Sequence, residues 1–378
     1  MNHAVPLRPL LKRNSDYKMK RLLLTFGLVL AFQAPVYAQD DVAAIAPASG
    51  EKVIEKDKTL EEQVPVVAVN GRKNFFTLGY ENDLIGAGTD SDFTNGVRLS
   101  YFDINQDLPW LAMKIADIIP TFRVNQTTSV FYSVGQNMYT PKEISQRTQD
   151  PDDRPWAAFL YGSMGMATLN DNRIDELEAT IGVVGPYALG EQTQKAVHKH
   201  ITNSPTPKGW SNQLENEPAL MVSWRRRYPY WAKYETHGYM MSASPSIGAS
   251  LGNVYTHANA GMTFSLRPSK SAWEDTPLRV RPAMPGTGFF STPEDGWGWA
   301  LFAGVDGRVV GRNIFLDGNT FTDSHSVDKK PFVLDGNVGV SFTFENTRVS
   351  YTLTHRTKEF DGQEKGHVFG ALSLTYKF

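Results

Sequence analysis

The sequence predicts an all-β protein, a transmembrane barrel of twelve antiparallel strands with a short helix on an extracellular loop. Three observations carry the prediction. The chain opens with an export signal, most of its length alternates apolar and polar residues, and its long connections fall mainly on every second loop.

The export signal comes first. Lys18, Lys20 and Arg21 precede the apolar run 22–31, and the small-residue stretch Pro35-Val36-Tyr37-Ala38 follows. A charged head, a short apolar stretch and a small-residue ending are the layout of a cleavable secretory signal. The expected cut falls after Ala38, and the run is shorter than the ~20 residues a membrane-spanning helix needs. No later segment is as long and uncharged. Residues 39–73 are rich in Ala, Val, Glu, Asp and Lys without a period and read as a flexible periplasmic leader. The barrel is expected over 74–378.

Composition agrees. The 378 residues include 15 Tyr, 21 Phe, 8 Trp and 31 Gly at a mean hydropathy of −0.35, which suits strands in which only every second residue is apolar. Cysteine is absent, excluding a small disulfide-stapled fold, and a net charge of −2 gives no electrostatic case for nucleic acid.

From Asn74 onward period two dominates. At the C-terminus Leu372, Leu374, Tyr376 and Phe378 share one face, and Ser373, Thr375 and Lys377 the other. Such segments place strands at 74–82, 94–103, 128–136, 156–167, 173–184, 218–228, 237–251, 254–267, 297–313, 333–344, 347–356 and 367–378. Their lengths match the ~9–11 residues a tilted strand needs to cross a bilayer. The long connections 83–93, 137–155, 185–217, 314–332 and 357–366 are all odd-numbered, as expected of loops outside the outer membrane. Two long even connections, 104–127 and 268–296, break that rule. The first contains a candidate amphipathic helix near Trp110, and the second is Pro-rich. A terminal Phe with Tyr two places earlier also resembles the last strand of outer-membrane barrels.

Common hydrolase and metal motifs are missing: there is no Gly-x-Ser-x-Gly, no His-Glu-x-x-His, no P-loop and no EF-hand loop. Polar clusters on the odd loops remain, and parity puts them on one rim. Residues 191–200 contain no helix breaker and form about three turns, which sets Gln194 and His198 four apart on one face. An imidazole and an amide could thus be aimed at Asn82 and Asp83 in the first loop. Asn, Asp and Thr at loop edges equally make turns and caps, and Arg154-Pro155 and Gly209-Trp210 read as loop anchors, with the Trp in the aromatic girdle.

At these residues the chain resembles the outer-membrane lipid A 3'-O-deacylase family. The resemblance runs through Glu81-Asn82-Asp83, Asp92-Phe93-Thr94-Asn95-Gly96, Gln136-Asn137-Met138-Tyr139-Thr140-Pro141, Asp153-Arg154-Pro155, Gly185-Pro186, Gln194-x-x-x-His198 and Gly209-Trp210-x-x-Gln213-Leu214. It implies a site between the outer rim and a loop helix, and Ca2+-dependent removal of the 3'-linked acyloxyacyl group from lipid A of the outer leaflet. By the same resemblance His198 is the base that takes a proton from water, Asp83 is a calcium ligand, and Asn82, Thr94 and Gln194 orient carbonyl, water or metal. Two positions depart from the family. Its loop-3 lysine has no counterpart, since Lys142 lies too early and Gln146 and Arg147 stand in the aligned region. The acidic residue six places beyond the histidine is replaced by Thr202-Asn203-Ser204-Pro205, leaving Glu215 or Glu217 as substitutes. An outer-membrane phospholipase and a non-catalytic pore or scaffold are the competing readings.

Overall fold

The computed structural model describes residues 74–378 apart from 88–91, 104–108, 111–112, 115, 117–121, 126, 171, 203–204, 272–273, 278 and 281–286. The expected signal and leader therefore lie outside the described residues. So does most of the predicted helix near Trp110, where Trp110, Met113, Lys114 and Ala116 are helical.

Thirteen strands form one antiparallel sheet: β1 (Asn74–Asn82), β2 (Asp92–Asp103), β3 (Ser129–Thr140), β4 (Ala157–Asn170), β5 (Arg173–Val184), β6 (Glu217–Arg227), β7 (Ala232–Thr236), β8 (Tyr239–Gly252), β9 (Tyr255–Pro268), β10 (Trp297–Asn313), β11 (Phe332–Phe344), β12 (Thr347–Arg356) and β13 (His367–Lys377). β1 pairs with β13 and β6 pairs with β8, so twelve strands close into a ring and no edge is left among them. The thirteenth, β7, pairs only with β8 and makes a short hairpin beside the wall. No described helix is long and apolar enough to cross a membrane.

Alternation sets the two faces of the wall. On β1, Phe76 and Leu78 are exposed while Phe75, Thr77 and Glu81 are buried, and Val134, Ile181, Leu220, Val338 and Leu374 continue the exposed apolar band. The lumen receives the polar set. Arg98 donates to Glu178 at 2.8 Å and to Ser133 at 2.9 Å, and Thr77 meets Thr375 at 3.1 Å across the β1–β13 seam. Arg98 and Glu178 are both completely buried, so losing either partner should cost about 3–5 kcal/mol.

The Pro-rich even connection that broke the parity rule is long because it fills this lumen. Phe289 and Phe290 pack on Phe75, Phe102 and Phe131 near the end that carries the termini and short turns, with Phe75–Phe289 ring centroids at 5.1 Å. Asp275 is held by Arg227, which also binds Glu176. Further up, Tyr161 Oη donates to the Val280 carbonyl at 2.9 Å. The opposite mouth is closed by a one-turn helix (Ile314–Asp317) on the outer connection between β10 and β11, whose Phe315 stacks on Tyr139 at 3.9 Å. Beside the inserted connection a cavity of about 120 Å3 remains, lined by groups such as Arg225, Arg267, Glu274 and Asp306.

Candidate active site

Among the described residues, two helices near the outer rim lie against the outside of the barrel. The first, α1 (Leu84–Ala87), follows β1 directly and packs on β13. Tyr351 Oη donates to the Ile85 carbonyl at 2.9 Å, and a Cβ on Gly370 would sit 2.7 Å from that same oxygen. The second, α2 (Gly190–Val197), lies on β3 and β4 and runs on into a π-helical turn over His198–Thr202. Close approach fixes its start: a Cβ on Gly190 would meet the Ala158 methyl at 2.4 Å and the Trp210 ring at 2.6 Å. Met138 and Ala158, on the lipid side of the wall by parity, form one apolar cluster with Ile144, Trp156, Ala188 and Trp210. Gln136, on the same face, donates to the Ala188 carbonyl at 2.6 Å.

The predicted helix over 191–200 is thus present in substance. Gln194 and His198 are both buried, at 1% and 6% exposure, although four turn-adjacent neighbours are exposed or half-buried. Trp210 Nε1 donates to Gln194 Oε1 at 2.7 Å, while Gln194 Nε2 meets no hydrogen-bond partner among the described residues. His198 Nδ1 lies 2.6 Å from the Pro205 carbonyl oxygen. A carbonyl can only accept, so Nδ1 carries a proton, and in the neutral form of the ring the lone pair is on Nε2.

Asn82 and Asp83 stand at the outer end of β1. Glu81 faces the lumen, so Asn82 faces the membrane side, opposite Gly370. Its counterpart on β2 is Asn95, whose Nδ2 donates to Tyr80 Oη at 3.3 Å. Both asparagines are more than nine-tenths buried although they point away from the lumen. Asn95 pairs with Met138, which contacts the shelf under α2, so Asn82 lies two strands from that shelf. At a strand spacing of about 4.8 Å this is roughly 10 Å along the wall. The outer face of β1–β2 thus runs as a groove between α1 on one flank and α2 on the other, covered at Asn82 and Asn95, and the same face carries the exposed Phe76, Leu78 and Val97.

Thr94 lies within β2, in the stretch between Asp92 and Asn95 where the β2–β3 register shifts, an irregularity of the kind that re-aims side chains. Its own side chain is outside the described residues. Asp83 is completely buried. No group of three His, Cys, Asp or Glu gathers among the described residues, and the donors nearest Asp83 along β1 and across the first loop are the Asn82 and Asn95 amides. Such a donor set fits a hard cation such as Ca2+ and does not fit zinc, which favours nitrogen and sulfur.

A sequence model of the family described as "Outer membrane protein LpxR" matches residues 24–378. The chain belongs to the LpxR family. LpxR from Salmonella typhimurium shares the fold at a TM-score of 0.64 and 21% identity, over 80% of this chain and 100% of that one. The β domain of the Bordetella autotransporter BrkA aligns at a TM-score of 0.37 and 5% identity, over 81% of this chain and 98% of that one. An outer membrane channel of Pseudomonas putida F1 aligns at 0.36 and 11%, over 81% and 96%. No curated protein matches. As an LpxR-family barrel, the protein resides in the bacterial outer membrane.

Two corrections concern the neighbourhood of the site, and one further contact bears on Lys142. Trp210 is not in the aromatic girdle; it is 1% exposed and clamps α2 to the wall. Glu217 is unsuited to replace the family's acidic residue, because its carboxylate accepts from Asn253, Asn319 and the Thr320 amide. Lys142 is drawn away to Glu364 on the eleventh loop at 3.0 Å, where each partner favours the other's charged form: the Lys142 ammonium is pushed above and the Glu364 carboxyl below its ordinary range. Asn95 stands in the sequence only as part of a motif; the signal that could have found it is strand parity across the first loop, since the Glu81–Gly96 pair puts Asn82 and Asn95 on one face.

Proposed function

We propose that this LpxR-family protein is an ester hydrolase that removes the 3'-linked acyloxyacyl group from lipid A in the outer leaflet. The observation that carries the reading is the position of His198 and Gln194 on a helix laid against the lipid side of the barrel, beside a groove floored by Asn82 and Asn95. A catalytic group in a lumen would meet solutes, whereas one on the outer wall meets membrane lipids. The filled lumen further favours an enzyme over a pore.

In this reading His198 Nε2 accepts a proton from a water molecule whose oxygen adds to the ester carbonyl. The proton then passes to the leaving sugar oxygen as the acyl C–O bond breaks, which returns the imidazole to its neutral form. Gln194, held by Trp210, turns its amide Nε2 toward the reacting oxygens, and Asn82 and Thr94 fix the carbonyl from the barrel side. Asp83 and the Asn82 amide oxygen would hold a calcium ion. Such an ion, when bound, supplies positive charge against the oxyanion that develops at the carbonyl.

Purified protein incubated with lipid A and Ca2+, with the products read by mass spectrometry, tests the proposal. The expected result is loss of one acyloxyacyl group by the parent and none by His198→Ala. No release by the parent, or equal release by the variant, removes the reading. A phospholipid arm in the same assay covers the competing substrate, since the family's loop-3 lysine is missing.

A further inference from the structure

We propose that the lumen-filling connection between β9 and β10 is a positioning device for the groove on the opposite side of the wall, acting through Arg279 and Val280 on the end of β1. The proposal rests on the hydrolase reading for its consequence in rate, but not for its consequence in structure.

Glu81 is the last lumen-facing residue of β1 and is 1% exposed. Its Oε1 accepts from Arg279 Nε at 2.9 Å and from the Val280 amide at 3.0 Å, while Oε2 meets no partner among the described residues. Arg279 reaches on to Asn337 Oδ1 on β11 at 3.0 Å and Thr354 Oγ1 on β12 at 3.2 Å. Thr354 Oγ1 also donates to Asn337 Oδ1 at 2.8 Å, and Val280 is held from β4 by Tyr161. Two residues of the inserted segment thus tie four strands together at one level of the barrel. That level is the one from which β1 leaves the sheet.

The consequence follows from strand geometry. Beyond Glu81, β1 has one more paired residue, Asn82 against Gly370, before it turns into α1. A strand end frays most easily, and a slip of one residue exchanges its two faces. Such a slip would take Asn82 out of the groove and carry Asp83 with it. A carboxylate clamped from inside by a guanidinium and an amide resists the slip, because Glu81 cannot turn outward without depriving the half-buried Arg279 of its carboxylate partner and the Val280 amide of its acceptor. Arg279 and Glu81 touch no substrate; they hold the backbone from which the neighbouring residues project.

The test compares Arg279→Ala, Arg279→Lys and a control pair, Arg98→Met with Glu178→Gln, which removes a buried lumen ion pair that does not touch the inserted connection. All are prepared as full-length protein and checked for a closed barrel by migration in unheated SDS gels. Hydrogen exchange of the 80–87 peptide is the activity-independent readout. Exchange there should rise at least tenfold in Arg279→Ala, recover in part in Arg279→Lys and stay at the parent level in the control. On lipid A with Ca2+, kcat should fall at least tenfold in Arg279→Ala with KM within about threefold of the parent. Unchanged exchange at 80–87, or an equal rise in the control, overturns the proposal whatever the activity. A parent that releases no acyl group defeats the hydrolase reading alone, and the exchange result then still decides this one. Should Arg279→Ala fail to close, Glu81→Gln replaces it: the neutral amide keeps an acceptor for the Val280 amide but loses the ionic clamp, and the same rise and the same absence of a rise apply.

Discussion

The bond between Trp210 and Gln194 offers the sharpest perturbation, because it joins the helix to its seat through one proton. Trp210→Phe keeps an aromatic ring against Trp156, whose centroid lies 5.2 Å away, and removes only the indole N–H. Gln194 Oε1 then loses its donor at 1% exposure, on a side chain whose Nε2 is already without a partner. Leaving a buried neutral acceptor unsatisfied costs about 1–3 kcal/mol. The helix can avoid that cost by tilting outward until water reaches the amide. If the whole cost falls on the competent position of α2, turnover drops by about 5- to 150-fold, since ~1.4 kcal/mol is a factor of ten. Trp210→Ala adds the loss of a buried ring, about 3–5 kcal/mol, and should free the joined third and fifth loops altogether. The assay is acyl release from lipid A alongside hydrogen exchange of the peptide covering 190–202. Full activity and unchanged protection in Trp210→Phe would refute the argument that this bond seats the helix.

Other expectations follow from the same geometry. Gly190→Val inserts branched carbon where even a Cβ would meet Ala158 at 2.4 Å, so α2 should lift from the wall and acyl release fall at least tenfold while the barrel still migrates as folded. Deleting 274–290 should raise conductance in planar bilayers above that of the parent; a deletion variant that conducts no more than the parent would show that the rest of the lumen is closed without it. The Lys142–Glu364 tether is solvent-exposed. Its carboxylate side is lost only as pH falls through a value below the ordinary 4.5, and its ammonium side only as pH rises through a value above the ordinary 10.5. Between those limits it is constant, so Lys142→Ala should leave the pH profile of acyl release from 5 to 9 unchanged in shape, as read by initial rates across that range.

The barrel was legible because its physics is local and repeated. Each strand must be apolar on alternate residues to face lipid, and that alternation identified all twelve wall strands, usually to within two or three residues. β3 and β4 run further than expected, to Thr140 and Asn170, because their ends carry the shelf under α2 and a short turn that periodicity alone could not extend. β7 has no signal in the sequence, because a five-residue hairpin strand with both faces largely exposed displays no alternation. The helix with Gln194 and His198 could be read from spacing, since residues four apart share a face whatever the helix packs against. The lumen-filling segment could not. Its anchors Asp275, Arg279 and Phe289 bind residues from β1, β2, β6, β11 and β12, and no short-range pattern encodes such contacts.

The placement of α2 on the outer wall changes what concentration means under the proposed function. A lipid substrate would reach that wall by diffusing within one leaflet, so the quantity that governs occupancy would be molecules per unit area, not molarity in the bulk. Diluting such a lipid with inert detergent at constant total amount would therefore slow its capture in proportion to its mole fraction at the interface, whereas adding buffer would leave it unaltered.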